Sequence, residues 1–125
     1  MPALDTVIWA VQGILAAVFL FSGAMKLLAF DRYIRMVEER SGRDADLSRP
    51  LMTVVGLSEV AGGLGLILPW ATGILRVLTP LAALGLAVIM IGATNYHRRR
   101  GEPPLPTVVL LVLALIVAVT RFGGM

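Results

Sequence analysis

Four apolar blocks dominate the chain, and each is close to the length a helix needs to cross a bilayer. They run Thr6–Leu28, Pro50–Pro69, Ile74–Asn95 and Leu105–Thr120. A hydrocarbon core of about 30 Å takes roughly 20 apolar residues as helix. The chain is 58% hydrophobic with a mean hydropathy of +0.87, above the roughly half-apolar make-up of a soluble domain. The blocks fill most of the 125 residues and leave no room for a soluble domain. We therefore expect an all-α fold, a polytopic membrane four-helix bundle, as a single transmembrane domain over residues 1–125. Short connections predict up-and-down order. The last block is short, and Arg121 would extend it by snorkelling to the interface.

The connections fix an expected orientation. Lys26, Arg32, Arg35, Arg40, Arg43, Arg49, Arg98, Arg99 and Arg100 fall on the side of the first and third loops. Only Arg76 and Arg121 fall on the other. By the positive-inside rule, loops one and three are cytoplasmic and both termini lie outside, in the inner (plasma) membrane. The same topology accounts for the net charge of +3, so no nucleic-acid partner is expected; membrane lipid is. The start of the chain lacks a basic n-region and a cleavage site, which reads as a retained span, not a signal peptide. Cysteine is absent, which excludes disulfides, thiolate metal sites and a dithiol relay within the chain.

Within the first span, Gln12, Phe19, Ser22, Gly23 and Lys26 share one face. A polar or small stripe in an apolar span normally faces other helices. The first loop opens with Phe30, Tyr33, Ile34 and Val37 at helical spacing among charges, which predicts an interfacial amphipathic helix over 30–41 ending at Gly42. Ser48 is placed to cap the second span. Pro69 and Gly73 bracket an expected tight turn, and Pro80 predicts a bend in the third span. The small residues Ala82, Ala83, Gly85, Ala87, Gly92 and Ala93 predict that this span packs most closely. The fourth span, apolar from Val108 to Val119, reads as a lipid-contacting element.

Chemistry concentrates on Glu59, in the middle of the second span. An ionisable group at bilayer depth is costly and usually faces a protein interior, a partner or a task. It is either a functional carboxyl or a structural one hydrogen-bonded to Gln12 or Ser22. Lys26 is long enough to snorkel to the headgroups; contact with Glu59 requires it to point inward. Asn95, His97 and Glu102 gather on the side of Lys26 and would form the polar mouth of a cavity. His97 is the only histidine, which rules out a multi-histidine metal site in one chain, so no metal is expected. No catalytic residue can be assigned: the chain has no Ser/His/Asp set, phosphate loop or paired catalytic carboxylates.

Three segments, FLFSGAMKLL, GLSEVAGGLGLILP and LAALGLAVIMIGATNYHRRRGE, resemble the DoxX-like family of small bacterial four-helix membrane proteins. The resemblance spans all four blocks. It implies a four-helix bundle in which Lys26, Glu59, His97 and Glu102 map onto recurrent polar positions. It further implies a loose link to quinone or sulfur oxidation and to redox-stress complexes. Our leading expectation is a pocket lined by Gln12, Ser22, Lys26, Glu59 and Asn95, with His97 and Glu102 at its mouth. It would bind a quinone-like or lipid-like molecule and support a partner oxidoreductase, as an accessory subunit and not a stand-alone enzyme. Lys26 and His97 would donate to a carbonyl, and Glu59 would exchange a proton. A small proton-coupled multidrug-type transporter and a membrane assembly or scaffold subunit are the alternatives. Abundant small residues leave surface for a homodimer.

Overall fold

The computed structural model describes residues 2–124; Met1 and Met125, the ends of the expected domain, lie outside the described residues. Five helices follow one another: α1 (Pro2–Leu28), α2 (Phe30–Ser41), α3 (Arg49–Thr72), α4 (Leu78–Arg99) and α5 (Leu105–Gly123). All but α2 are long and apolar enough to cross a membrane. These four form a closed ring in which α1 packs on α3, α3 on α4, α4 on α5 and α5 back on α1. The protein is thus an all-α, multi-pass membrane bundle. Its exterior is apolar, with Ile14, Phe21, Val54, Leu57, Val88 and Val119 all exposed. A lipid-facing surface requires this.

The core lies along the axis, built from Leu15, Phe19, Leu66, Ala83, Leu86, Met90, Ala114 and Val117. α5 contributes Ala114, Val117 and Ala118 to it and leaves Val109, Val112 and Val119 outside, so it is a full wall of the bundle with one lipid face. The closest backbone approach is between α1 and α3. A Cβ on Gly23 would stand 2.7 Å from the Gly56 carbonyl oxygen, and one on Gly63 would stand 2.9 Å from Leu20. Of the small residues expected to make the third span pack most closely, Ala83 and Ala87 lie in the core and Ala82 meets Gly65, but the glycines do not contribute. Gly85 and Gly92 of α4 have open space beside them; the glycines used against α4 are Gly62 and Gly65 of α3, which receive Leu86 and Ala82.

Helix ends follow from local chemistry. The Ser48 hydroxyl accepts the Leu51 N–H at 3.2 Å, and Pro50 lies in the first turn of α3, where its missing N–H costs nothing. Gly42 and Gly73 close α2 and α3 in the left-handed region, with φ of 70° and 74°. Three expectations need correction here. α3 runs through Pro69 to Thr72, so Pro69 belongs to its last turn. α4 begins at Leu78, not Ile74, because Gly73 and Leu75 both have positive φ and hold 73–77 in a turn. Pro80 consequently sits in the first turn of α4, where an N–H has no intrahelical partner to lose, so it marks a start and not a bend. The Thr79 hydroxyl seals that corner by donating to the Gly65 carbonyl at 2.8 Å.

Candidate functional site

Glu59 and Lys26 form an ion pair, Nζ to Oε1 2.8 Å, with the side chains only 2% and 8% exposed. Lys26 therefore does not snorkel. Depth had made the pairing hard to foresee, because Glu59 lies ten residues into α3, about 15 Å along a helix. The structure resolves this by overhang. Gly56 packs against Gly23, Lys26 and Leu27, so the last turn of α1 ends level with the third turn of α3. The first turns of α3 project past α1 and meet α2 instead. There Arg49 lies 4.7 Å from the Phe30 ring and 3.4 Å from Asp31.

Ser22, one turn before Lys26, completes the pair. Lys26 Nζ donates to Ser22 Oγ at 2.6 Å, and Ser22 Oγ reaches the two Glu59 oxygens at 3.4 and 3.3 Å. On the remaining side the Lys26 ammonium stands 4.8 Å from the centre of the Tyr33 ring. Tyr33 was not among the expected site residues. The signal was available: Tyr33 shares the apolar face of the amphipathic α2 with Phe30, Ile34 and Val37, in the helix that follows Lys26 directly. Burial first, then the charge of Glu59 and the nearness of Tyr96, push the Tyr33 phenol up to about 12. It is a neutral donor throughout the physiological range.

Tyr33 also lines a cleft of about 400 Å³ under α2. Its walls are Tyr33, Val37, Arg40 and Ser41 of α2, His97 at the end of α4, Glu102 and Pro103 of the connection, and Pro106 and Thr107 of α5. His97 Nδ1 lies 2.8 Å from Glu102 Oε1, and Arg100 Nε donates to Glu102 Oε2 at 2.9 Å. Arg100 also donates to the Asp44 carbonyl at 2.9 Å, tying the connection that follows α2 to the one that follows α4. The Tyr96 ring meets His97 edge-on at 5.4 Å and lies 5.2 Å from the Arg100 guanidinium. Its hydroxyl is buried and has no hydrogen-bond partner among the described residues. Buried hydroxyls usually find one; Tyr96 itself does not line the cleft. Sequence reasoning missed Tyr96 and Arg100. Both look like topology signals until the fold brings loop one beneath them.

The hydrogen bond from His97, then that from Arg100, holds the Glu102 carboxyl below its ordinary value of 4.5. A depressed carboxyl contributes stability that is present above the ordinary value and is lost as pH falls through the lowered one. Acidification below pH 4.5 should therefore loosen the α4–α5 connection before the spans. Hydrogen exchange of residues 100–107 against pH reads this, and Glu102→Gln should abolish the acid-dependent step.

Of the seven expected members only His97 and Glu102 line the cleft; Ser22, Lys26 and Glu59 form the buried cluster behind Tyr33, and the remaining two lie elsewhere. Asn95 is exposed on α4 and outside the pocket, because it is offset from the core-facing Ala83–Leu86–Ala87–Met90 stripe. Gln12 is fully buried but sits ten residues from Ser22 in a second polar cluster at the opposite end of the bundle. Its Nε2 donates to the Leu66 carbonyl and its Oε1 accepts from Arg121 Nε at 2.6 Å. Arg121 is 4% exposed and does not snorkel. It also reaches Asp5 at 2.7 Å and lies over Trp70 and Trp9, at 4.7 and 5.4 Å. This cluster joins α1, α3 and α5 and has no connection to the cleft. No group of three or more His, Cys, Asp or Glu that could hold a metal ion occurs among the described residues.

Over residues 10–119 the sequence matches the model of the DoxX-like family. No curated protein and no solved structure matches it.

Proposed function

The chain belongs to the DoxX-like family, and on that premise we propose that it is a ligand-binding accessory subunit of the plasma membrane. Its site is the cleft under α2 together with the ion pair behind it. One observation carries this reading: Tyr33 both lines the cleft and stacks on Lys26. A binding cavity is thereby joined to a buried charged pair. About 400 Å³ falls within the range of small-molecule sites. The walls combine apolar surface (Val37, Pro103, Pro106) with donors at Tyr33, His97 and Thr107. Such a lining suits a flat or chain-like apolar molecule with a carbonyl or hydroxyl head, a quinone-like or lipid-like ligand. His97 and Tyr33 orient the head, and the Glu59–Lys26 ion pair stands behind Tyr33. No side chain of this composition carries electrons, so any redox step belongs to a partner oxidoreductase that shares the ligand. Nine of the eleven basic residues lie on the α2 side, which supports a cytoplasmic position for the cleft.

A proton-coupled transporter needs a carboxylate that opens alternately to both sides. Glu59 is 2% exposed and held by Lys26, which favours binding over transport. Native mass spectrometry of gently extracted protein tests the proposal. We expect a co-purifying small molecule of quinone or lipid mass, reduced about tenfold by Val37→Trp, which fills the cleft without touching the ion pair. Equal retention in the variant, or a persistent partner protein with no small molecule, overturns it and leaves the scaffold reading.

A further inference from the structure

A second concavity, of about 620 Å³, runs along the membrane-facing surface between α3 and α4. It extends from Ser58 to Pro69 on one wall and from Leu78 to Ile89 on the other. Each wall covers eleven helical steps, about 16 Å, which is close to half of a 30 Å hydrocarbon core. The groove begins at the α3–α4 turn and stops near mid-membrane, so it has the depth of one leaflet. Arg76 stands at its open end, exposed, with its guanidinium held 4.8 Å from the Trp70 ring beside Pro69. Arg121, the other cation on this side, is already neutralised by Asp5. Among the described residues no carboxylate pairs with Arg76.

We propose that this groove holds one acyl chain of an anionic phospholipid from the leaflet on the side of the termini, with the headgroup phosphate on Arg76. A second copy of the chain is the competing occupant, since small residues favour helix contacts. The small residues here are already used. Gly62 receives Leu86, and Gly65 receives Ala82, within this chain. What remains is a shallow, open groove lined mainly by apolar side chains, with Gly85 as a bare backbone patch without a neighbour. A groove of leaflet depth with, among the described residues, a single basic side chain without a carboxylate partner at its headgroup end matches a lipid in length and charge. The site is separate from the cleft under α2, and its occupancy does not depend on the function proposed above.

Trp70 reports on it. In a Trp9→Phe background, quenching of Trp70 by acyl-brominated phosphatidylglycerol should saturate in mixed micelles. It should exceed quenching by brominated phosphatidylcholine roughly fivefold in apparent affinity, as one basic residue near a membrane surface provides. Arg76→Gln should erase that preference, and Gly85→Leu, which fills open space on an exposed face, should reduce quenching by both lipids. Equal affinity for the two lipids, or quenching unchanged by Gly85→Leu, overturns the proposal. So does efficient crosslinking of a Gly85→Cys variant to itself, because the chain has no other cysteine and such a product means a second copy occupies the groove.

Discussion

Lys26→Met is expected to destabilise the bundle by about 3–5 kcal/mol, the cost of stripping one partner from a buried ion pair. The replacement keeps the length and apolar stem of the side chain, so packing against Gly56 survives and the charge alone is removed. Glu59 would then depend on Ser22, whose contacts at 3.3 and 3.4 Å are long. Neither water nor another cation replaces the ammonium, since Glu59 is 2% exposed. Lys26→Met/Glu59→Leu should recover most of the loss, because a buried pair replaced as a whole by apolar groups is often neutral. An exposed pair supplies the contrast. Arg49 and Asp31 are 62% and 86% exposed, and Asp31→Asn should shift stability by no more than about 1 kcal/mol. Equilibrium unfolding in micelles measures all three. A single variant no less stable than the double would mean that the pair is not desolvated. If the double variant is stable yet loses the co-purifying molecule, the pair serves binding and not folding.

The bundle was legible because each span had to be apolar for its own length, and that constraint is local. Helix periodicity likewise exposed α2, whose charges and apolar residues alternate at 3.6 spacing over Phe30–Ser41. The site was legible only in part, because its members meet through an offset between helices that no local pattern encodes. Lys26 and Glu59 could be named as polar residues in apolar surroundings, yet their contact depends on the last turn of α1 lying level with Gly56, seven residues along α3. Gln12 and Ser22 lie on one face of one helix, which placed them together in the expected pocket. A separation of ten residues is about 15 Å of helix, enough to divide them between two polar clusters. Arg121 was misplaced for a related reason. A basic residue at a span end ordinarily reaches the headgroups, but Gln12, Asp5 and two indole faces outcompete them here. Tyr33 and Tyr96 escaped notice because an aromatic near an interface needs no further reason to be there.

The offset itself rests on Gly23, and Gly23→Ala should show it. In an open helical position, alanine for glycine gains up to about 1 kcal/mol, and Gly92→Ala, with nothing within 4 Å of the added methyl, should display that gain. At Gly23 the same methyl would stand 2.7 Å from both the Gly56 carbonyl oxygen and Val60 Cγ2. Val60 can rotate, but the carbonyl is fixed by the helix it belongs to. Relief therefore requires α1 and α3 to separate along the seam. Overpacking of this kind costs about 1–3 kcal/mol, so the two variants should differ by roughly 2 kcal/mol with opposite signs. The displacement also acts on the site. Gly23 is one turn from Lys26, and Gly56 is one turn from Glu59, so widening the seam stretches the 2.8 Å pair directly beside it. Gly23→Ala should weaken ligand retention although it touches neither the pair nor the cleft, while Gly92→Ala leaves retention unchanged. Parallel unfolding and native mass spectrometry on the two proteins measure both effects. If the variants gain stability alike, α1 and α3 do not meet at Gly23 and Gly56, and the ion pair does not depend on their close approach.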